Sequence, residues 1–362
     1  MNILIFLFFL LKPFYLFKSG MPQMADILMI FIFLITFFKK IKITDKEKNL
    51  IVWNLLFVVY IFIVNGVWAL ILKGELELIK QSVYYLYNFL VLITIIALYE
   101  NKGNKFLKVI FNSIFVSSLL QFIILLFKDS TEMRRYLYFN NPNQLGYFSL
   151  LSIAICLVIN YKLDKKINVY PLIGINLILI VASLSRGAFI GAILMVITYI
   201  ILSINKRNFL KIYFLVIIIF VILISIVYLE LEIDTFKHYR YFKFRVFNLD
   251  YDDNLSYRGY DRFINHSNYL ILGAGEGVYK RFNSKLLGEV HSVLVNILFS
   301  YGIIGFIMFL NIIYISIYKV KFKRFHPLIY VFIYNMVHNG IRHSMFWILL
   351  ALLSIIEVKK NG

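Results

Sequence analysis

The chain reads as long apolar runs separated by short polar connections. Twelve stretches are continuously apolar, over about 1–17, 24–38, 50–72, 78–99, 106–127, 145–161, 169–184, 187–204, 209–229, 291–318, 327–341 and 344–357. Most approach the ~20 residues an α-helix needs to cross ~30 Å of hydrocarbon. None alternates apolar and polar positions as the strands of a membrane barrel do. The pattern predicts an all-α fold, a polytopic membrane bundle of about twelve transmembrane helices. No Pro/Gly/Ser-rich linker and no internal repeat divides it, so residues 1–362 read as one transmembrane domain. The single large interruption is 231–290, a mixed-charge segment rich in Tyr and Phe that can fold as a lid on the bundle.

Composition agrees. Hydrophobic residues make up 61% of the chain, charged residues 16%, and the mean hydropathy is +0.80. A soluble domain of this size has no interior large enough for that apolar surface, which excludes a water-soluble enzyme and a disordered chain.

The net charge of +19 invites a nucleic-acid reading until the charges are sorted by side. The connections 39–48, 100–108, 162–166, 206–211 and 319–324, with the tail 357–362, hold 20 Lys/Arg and 5 Asp/Glu. The rest of the chain holds 18 and 14. Short basic loops on one side mark the cytoplasm, so the basicity reports topology and no nucleic-acid partner is expected. Both termini are then expected in the cytoplasm, and 231–290 outside it. The first run lacks a basic start and a small-residue cleavage site and is expected to stay as an anchor. Cys156, the only cysteine, lies within an apolar run, which excludes an intramolecular disulfide and a thiol–metal cluster.

This topology sends four polar clusters to the outer side: Arg134 to Gly146, Ser185-Arg186-Gly187, the large loop, and Arg342-His343. Arg186 sits between two apolar runs with almost no linker, where a charge is costly unless paired or wet. It reads as an anion clamp, most naturally for phosphate, or as an arginine snorkelling from a helix end. Gly187 and Gly191 read as a helix-packing pair. Arg258 and Arg262 read as ligands or as salt-bridge partners of Asp252, Asp253 or Asp261. His291 opens the tenth run and is placed to act as a base, or simply to start a helix. Asn143 is expected to cap the sixth helix, with Arg134 and Arg135 just before it. Tyr239, Tyr241, Tyr257, Tyr260 and Tyr269 would stack on sugar rings or form an interfacial belt. Asp250-Tyr251-Asp252 imitates a metal–nucleotide motif, but a 60-residue loop is too short for the α/β domain which that use needs. Gly273-Ala274-Gly275-Glu276-Gly277 has no βαβ context and reads as a turn that brings backbone close to the next helix. His338 and His343 are five apart, poor spacing for a shared metal.

Taken in order, these pieces resemble the superfamily of O-antigen polymerases and ligases of bacterial surface-polysaccharide synthesis. The matching pieces are Asn141-Pro142-Asn143 with Gly146, Ser185-Arg186-Gly187, Arg258, Leu272-Gly273-Ala274-Gly275, and His291-Ser292 through Gly302-Ile303-Ile304-Gly305. They cover about the last two thirds of the chain; the first five runs match in hydropathy alone. Many relatives carry Asn where Ser292 stands. The resemblance implies a fold akin to the GT-C glycosyltransferases and a metal-independent membrane glycosyltransferase without cofactor. It implies an undecaprenyl-diphosphate-linked oligosaccharide as substrate, in contact with membrane lipid, at the outer leaflet of the bacterial inner membrane. It implies Arg186 and Arg258 as diphosphate ligands and His291 as the base. Arg134, Arg135, Asn143, Arg262 and Arg342 are expected to contact diphosphate or glycan. The expected activity is that of a Wzy-type polymerase of O-antigen or capsule, with a chain-length regulator protein as a partner. A ligase onto lipid A–core is the alternative. A lipid-linked oligosaccharide flippase is the third reading, kept alive by Lys80 and Gln81 in the fourth run.

Overall fold

The computed structural model describes residues 1–18, 20–38, 43–128, 134–164, 166–203 and 255–355. Among them every regular element is helical. Eleven principal helices follow in order: α1 (Asn2–Leu11), α2 (Met24–Phe37), α3 (Asp45–Ile71), α4 (Leu76–Lys102), α5 (Asn104–Phe127), α6 (Pro142–Lys162), α7 (Tyr170–Ser183), α8 (Arg186–Ser203), α9 (Val293–Ile317), α10 (Phe322–Val337) and α11 (Ser344–Ser354). Each coincides with one predicted apolar run. The remaining run, 209–229, lies outside the described residues, as do Asp250-Tyr251-Asp252, Asp253, Tyr239 and Tyr241. Six of the helices, α3, α4, α5, α6, α8 and α9, are long and apolar enough to cross a membrane.

Helix α6 is the hub. Residues Leu145 to Tyr161 are all buried, and α5, α7, α8, α10 and α11 pack around it. Helix α11 is likewise buried along its whole length. A helix that is apolar all round belongs in the interior of a bundle. In α2 and α3 the pattern is one-sided: Ile27, Phe31, Leu34, Val52, Leu56 and Val59 are exposed, an apolar face suited to lipid.

Two close approaches fix how helices meet near one end. A Cβ on Gly187 would lie 2.8 Å from Val337 Cγ2, and one on Gly191 2.7 Å from the Tyr330 carbonyl oxygen. The Gly187/Gly191 pair is therefore a packing surface that seats α8 on α10. Gly146 performs the same service for α6, whose backbone touches Ser183 and Ser185.

Helix α9 is broken at Gly302, which adopts φ +63°. The break frees carbonyls that a continuous helix would use. The Ala274 amide donates to Phe299 O at 2.9 Å and the Gly275 amide to Ser300 O at 2.8 Å. Gly273, at φ +96°, lies against Ser300 and Tyr301, and a Cβ at Gly302 would fall 2.2 Å from the Ile271 oxygen. Tyr60 and Trp68 of α3 complete the join by donating to Leu272 O (3.1 Å) and Gly273 O (3.0 Å). The glycine-rich segment is thus the close backbone approach to the next helix that its sequence announced.

The bundle has two chemically different ends. At one, Lys46 and Lys162 donate to the Leu353 and Ile355 carbonyls at the C-terminal end of α11, as the basic connections lead one to expect. At the other end the four polar clusters converge.

Candidate functional site

The first residues to assemble are Arg134, Asn143 and Tyr334. Arg134 Nη2 donates to Asn143 Oδ1 at 2.8 Å and its Nε to Ser183 O at 3.3 Å. Tyr334 donates to Asn143 O at 3.2 Å, joining α10 to the start of α6. Asn143 is not the cap of α6. Asn141 takes that role, accepting from the Gln144 amide at 3.0 Å. Pro142 at the first helical position sets this register, since its missing N–H is tolerated there. Asn143 is thereby left inside the first turn with its side chain committed to Arg134. The amide of Arg135 donates to Ala182 O at 3.0 Å, which ties this connection to the end of α7.

Arg186 is the first residue of α8 and is half-buried. The turn before it is tight: Leu184 is left-handed at φ 51°, and the Ser185 amide donates to Ser183 Oγ at 3.2 Å. Gly187, next in the chain, abuts Val337 and Tyr334. Arg258 reaches the same place from the loop, donating from Nη1 to Val337 O at 3.3 Å. The Arg258 carbonyl accepts from the His291 amide at 3.1 Å. His291 faces His338 with ring centroids 6.4 Å apart, and His338 lies 4.9 Å from the Tyr334 ring. The start of α8, Arg258 and His291 therefore meet around the end of α10. Partial burial, with Arg258 and then Arg262 nearby, holds the His291 pKa below the ordinary histidine value. Its ring is neutral at pH 7, the form that can accept a proton.

Arg262 has a different setting. It is fully buried, donates to the Leu286 and Gly288 carbonyls, and lies over the Tyr279 ring at 5.1 Å and the Phe282 ring at 5.4 Å. It braces the loop from inside. Tyr269 packs with Phe282 and Phe299 in the small aromatic core beneath the loop. Tyr260 donates to Met336 O at 3.2 Å, holding the loop on α10.

Arg342 lies at the centre of an ion cluster. Its Nη2 is 2.6 Å from Glu276 Oε1 and 2.7 Å from Glu289 Oε2. Glu276 is wholly buried and also accepts from Tyr301 (2.7 Å), Tyr85 (2.8 Å) and Asn296 (3.0 Å). Burial works against its charge, yet Arg342 and the two phenols hold its carboxyl below the usual carboxylate range. Burial and the charge of Glu276 push Glu289 the other way, above that range. Asn339 donates to Glu289 Oε2 at 3.2 Å.

Beside this cluster lies a cavity of about 210 Å³. Lys12, Asp26, Tyr87, Tyr147, Glu289 and Arg342 are among its walls. Lys12 and Asp26 form a 2.7 Å ion pair there, and Tyr87 donates to Asp26 at 2.8 Å. In the sequence Glu276 stands out only as part of a glycine-rich turn, and Glu289, Lys12 and Asp26 belong to no motif. A charge this costly to bury was the available signal. Its partner, Arg342, is 66 residues away from Glu276 in the chain, so spacing could not pair them.

Residues 171–310 match the O-antigen ligase family. The match begins in α7, passes over Arg186, Arg258, Glu276 and His291, and ends within α9, so it covers the motifs that carry the resemblance from Ser185 to Gly305, while Asn141-Pro142-Asn143 and Gly146 lie before it. It supports an O-antigen ligase- or polymerase-type function, that of a membrane glycosyltransferase-like enzyme using lipid-linked oligosaccharide. No curated protein matches the chain.

Proposed function

We propose that the protein is a polysaccharide polymerase. It transfers a glycan from undecaprenyl diphosphate to the non-reducing end of another lipid-linked repeat unit, at the outer leaflet of a bacterial inner membrane. The observation that carries this reading is the meeting of the α8 start, Arg258 and His291, all three within the family match, around the end of α10.

In this account the C1–O bond to the diphosphate breaks as the acceptor oxygen bonds to C1. The acceptor proton passes to the His291 ring and the lipid diphosphate leaves. Negative charge grows on the leaving group, so fixed guanidinium groups stabilise the transition state more than the ground state. Arg186 and Arg258 supply those cations. Arg134 and Asn143 fix the neighbouring wall, and Arg262 keeps the loop in place over it. The loop excludes water, whose attack on the donor would otherwise compete. No metal ion or other cofactor takes part in this scheme.

A second reading is a ligase that moves the finished glycan onto lipid A–core, favoured by the description of the matching family. Purified protein in lipid nanodiscs, supplied with a lipid-linked repeat unit with and without lipid A–core, separates the two. A polymerase builds a ladder of products without the core. Transfer that occurs only when the core is present overturns the polymerase reading in favour of the ligase.

A further inference from the structure

The cavity beside Arg342 lies next to the proposed reaction centre, because Glu289 lines it and His291 is two residues further on. Tyr334 also lines it and leads through His338 toward the His291 ring. Its walls come from the connection between α1 and α2, the start of α2, α4, the first turns of α6, the last turn of α10 and the connection before α11, with Glu289 of the loop. It is thus built in part by the first helices of the chain, which lie before the family match.

Three features define what would fit. The first is charge. Lys12 is paired with Asp26, and Arg342 is shared between Glu276 and Glu289, so the cations are already matched and one carboxylate is in excess. Burial, aided by the nearby Lys12 charge, pushes the His343 pKa down to about 3, so that ring adds no positive charge. An anionic ligand finds no unspent cation here. The second is hydrogen bonding. Asn339 Oδ1, Arg342 Nε and His343 Nε2 are buried in the wall without a protein partner, two of them on residues that already hold Glu289. Buried polar atoms are normally satisfied, so these mark where a ligand's hydroxyls would bind. The third is size and surface. The volume is below the ~300–1,000 Å³ of sites for drug-sized ligands, and tyrosine faces supply the apolar contact.

From this geometry we infer that the cavity is a subsite for one uncharged, hydroxyl-rich sugar ring, the terminal residue of the acceptor glycan. This assignment of an acceptor rests on the polymerase or ligase reading; the preference for a neutral sugar rests on the cavity alone. Glu289, Asn339 and Arg342 take the hydroxyls, and the adjacent backbone carries the acceptor toward His291. The subsite thus selects neutral over acidic terminal sugars.

The test uses the full-length protein in nanodiscs, titrated with methyl glucoside, methyl galactoside, methyl N-acetylglucosaminide and methyl glucuronide by ligand-observed NMR. At least one neutral glycoside is expected to bind at least tenfold more tightly than the glucuronide. Asn339→Ala and Glu289→Gln are expected to weaken it tenfold or more, while Arg258→Ala leaves it unchanged. Unfolding midpoints check that each variant is folded, and Asn339→Ala, which removes one partly exposed amide, keeps the test open if Glu289→Gln is unstable. Absence of neutral binding, preference for the glucuronide, or indifference to both wall variants overturns the subsite. A wild-type protein that polymerises yet shows any of those results leaves the function standing and removes the subsite. One that binds glycosides as described yet transfers nothing removes the function alone.

Discussion

Arg342 and Glu276 form a 2.6 Å ion pair in which the carboxylate is wholly buried and the guanidinium keeps about a quarter of its exposure. Glu276 sits between two glycines on the segment that crosses the α9 break, and Arg342 precedes α11. The pair therefore ties the loop that carries Arg258 to the start of α11. Removing one member of a buried pair strands the other and costs about 3–5 kcal/mol. Glu276→Ala is expected to lose stability on that scale, read as a large fall in the unfolding midpoint in detergent. Glu289, a third exposed, is expected to cost clearly less when changed to Gln.

The backbone crossing at α9 makes a second demand. Alanine at Gly302 or Gly273 needs a positive φ and places Cβ within 2.2–2.4 Å of a carbonyl oxygen. Neither neighbour is a flexible side-chain tip, so the crossing must open. Either substitution is expected to abolish product formation and to expose the 271–277 segment to protease, whereas Gly288→Ala, with open space at Cβ, leaves both unchanged.

Arg258 and Arg262 are four residues apart in the chain and should behave differently. Loss of one fixed donor to a developing anion typically costs ~10²–10³ in rate. Arg258→Ala and Arg186→Ala are expected to lose activity by that factor or more while remaining inserted and folded. Arg262→Ala leaves the Leu286 and Gly288 carbonyls without their donor, so it is expected to lower the unfolding midpoint as well as the rate. Thermal unfolding measured beside initial rates distinguishes the two.

The state of His291 predicts a pH profile. Its pKa lies below 6.5, and the neutral ring is the active form. Activity should hold through neutral pH and fall only on the acid side, below the ordinary histidine value. Burial and Arg258 both lower that pKa, so the residual activity of Arg258→Gln is expected to fall at a higher pH than wild type. A limb that does not move separates the acid fall from His291.

Helix positions were legible in the sequence because each of the eleven described runs is apolar over its own length. The packing role of Gly187 and Gly191 was legible too, since small residues one turn apart have few other uses there. The cap of α6 was misread by two residues: Asn141 and Asn143 are both good caps, and Pro142 decides between them. The buried ion cluster was hidden for a different reason. Glu276, Glu289 and Arg342 come from a glycine-rich crossing, a loop end and a helix connection, and only the break at Gly302 brings the crossing deep enough to pair them. Arg262 carries the same charge as Arg258, and only the fold reveals that it faces loop carbonyls.

The most direct measurement is a gel of surface polysaccharide from a strain lacking this gene, complemented with wild type, Arg186→Ala or Arg258→Ala. The account predicts that a ladder collapses to a single-repeat band, that wild type restores it, and that neither arginine variant does, although both are present in the membrane. Loss of all surface glycan with long lipid-linked polymer accumulating, or a normal ladder from either variant, would contradict it.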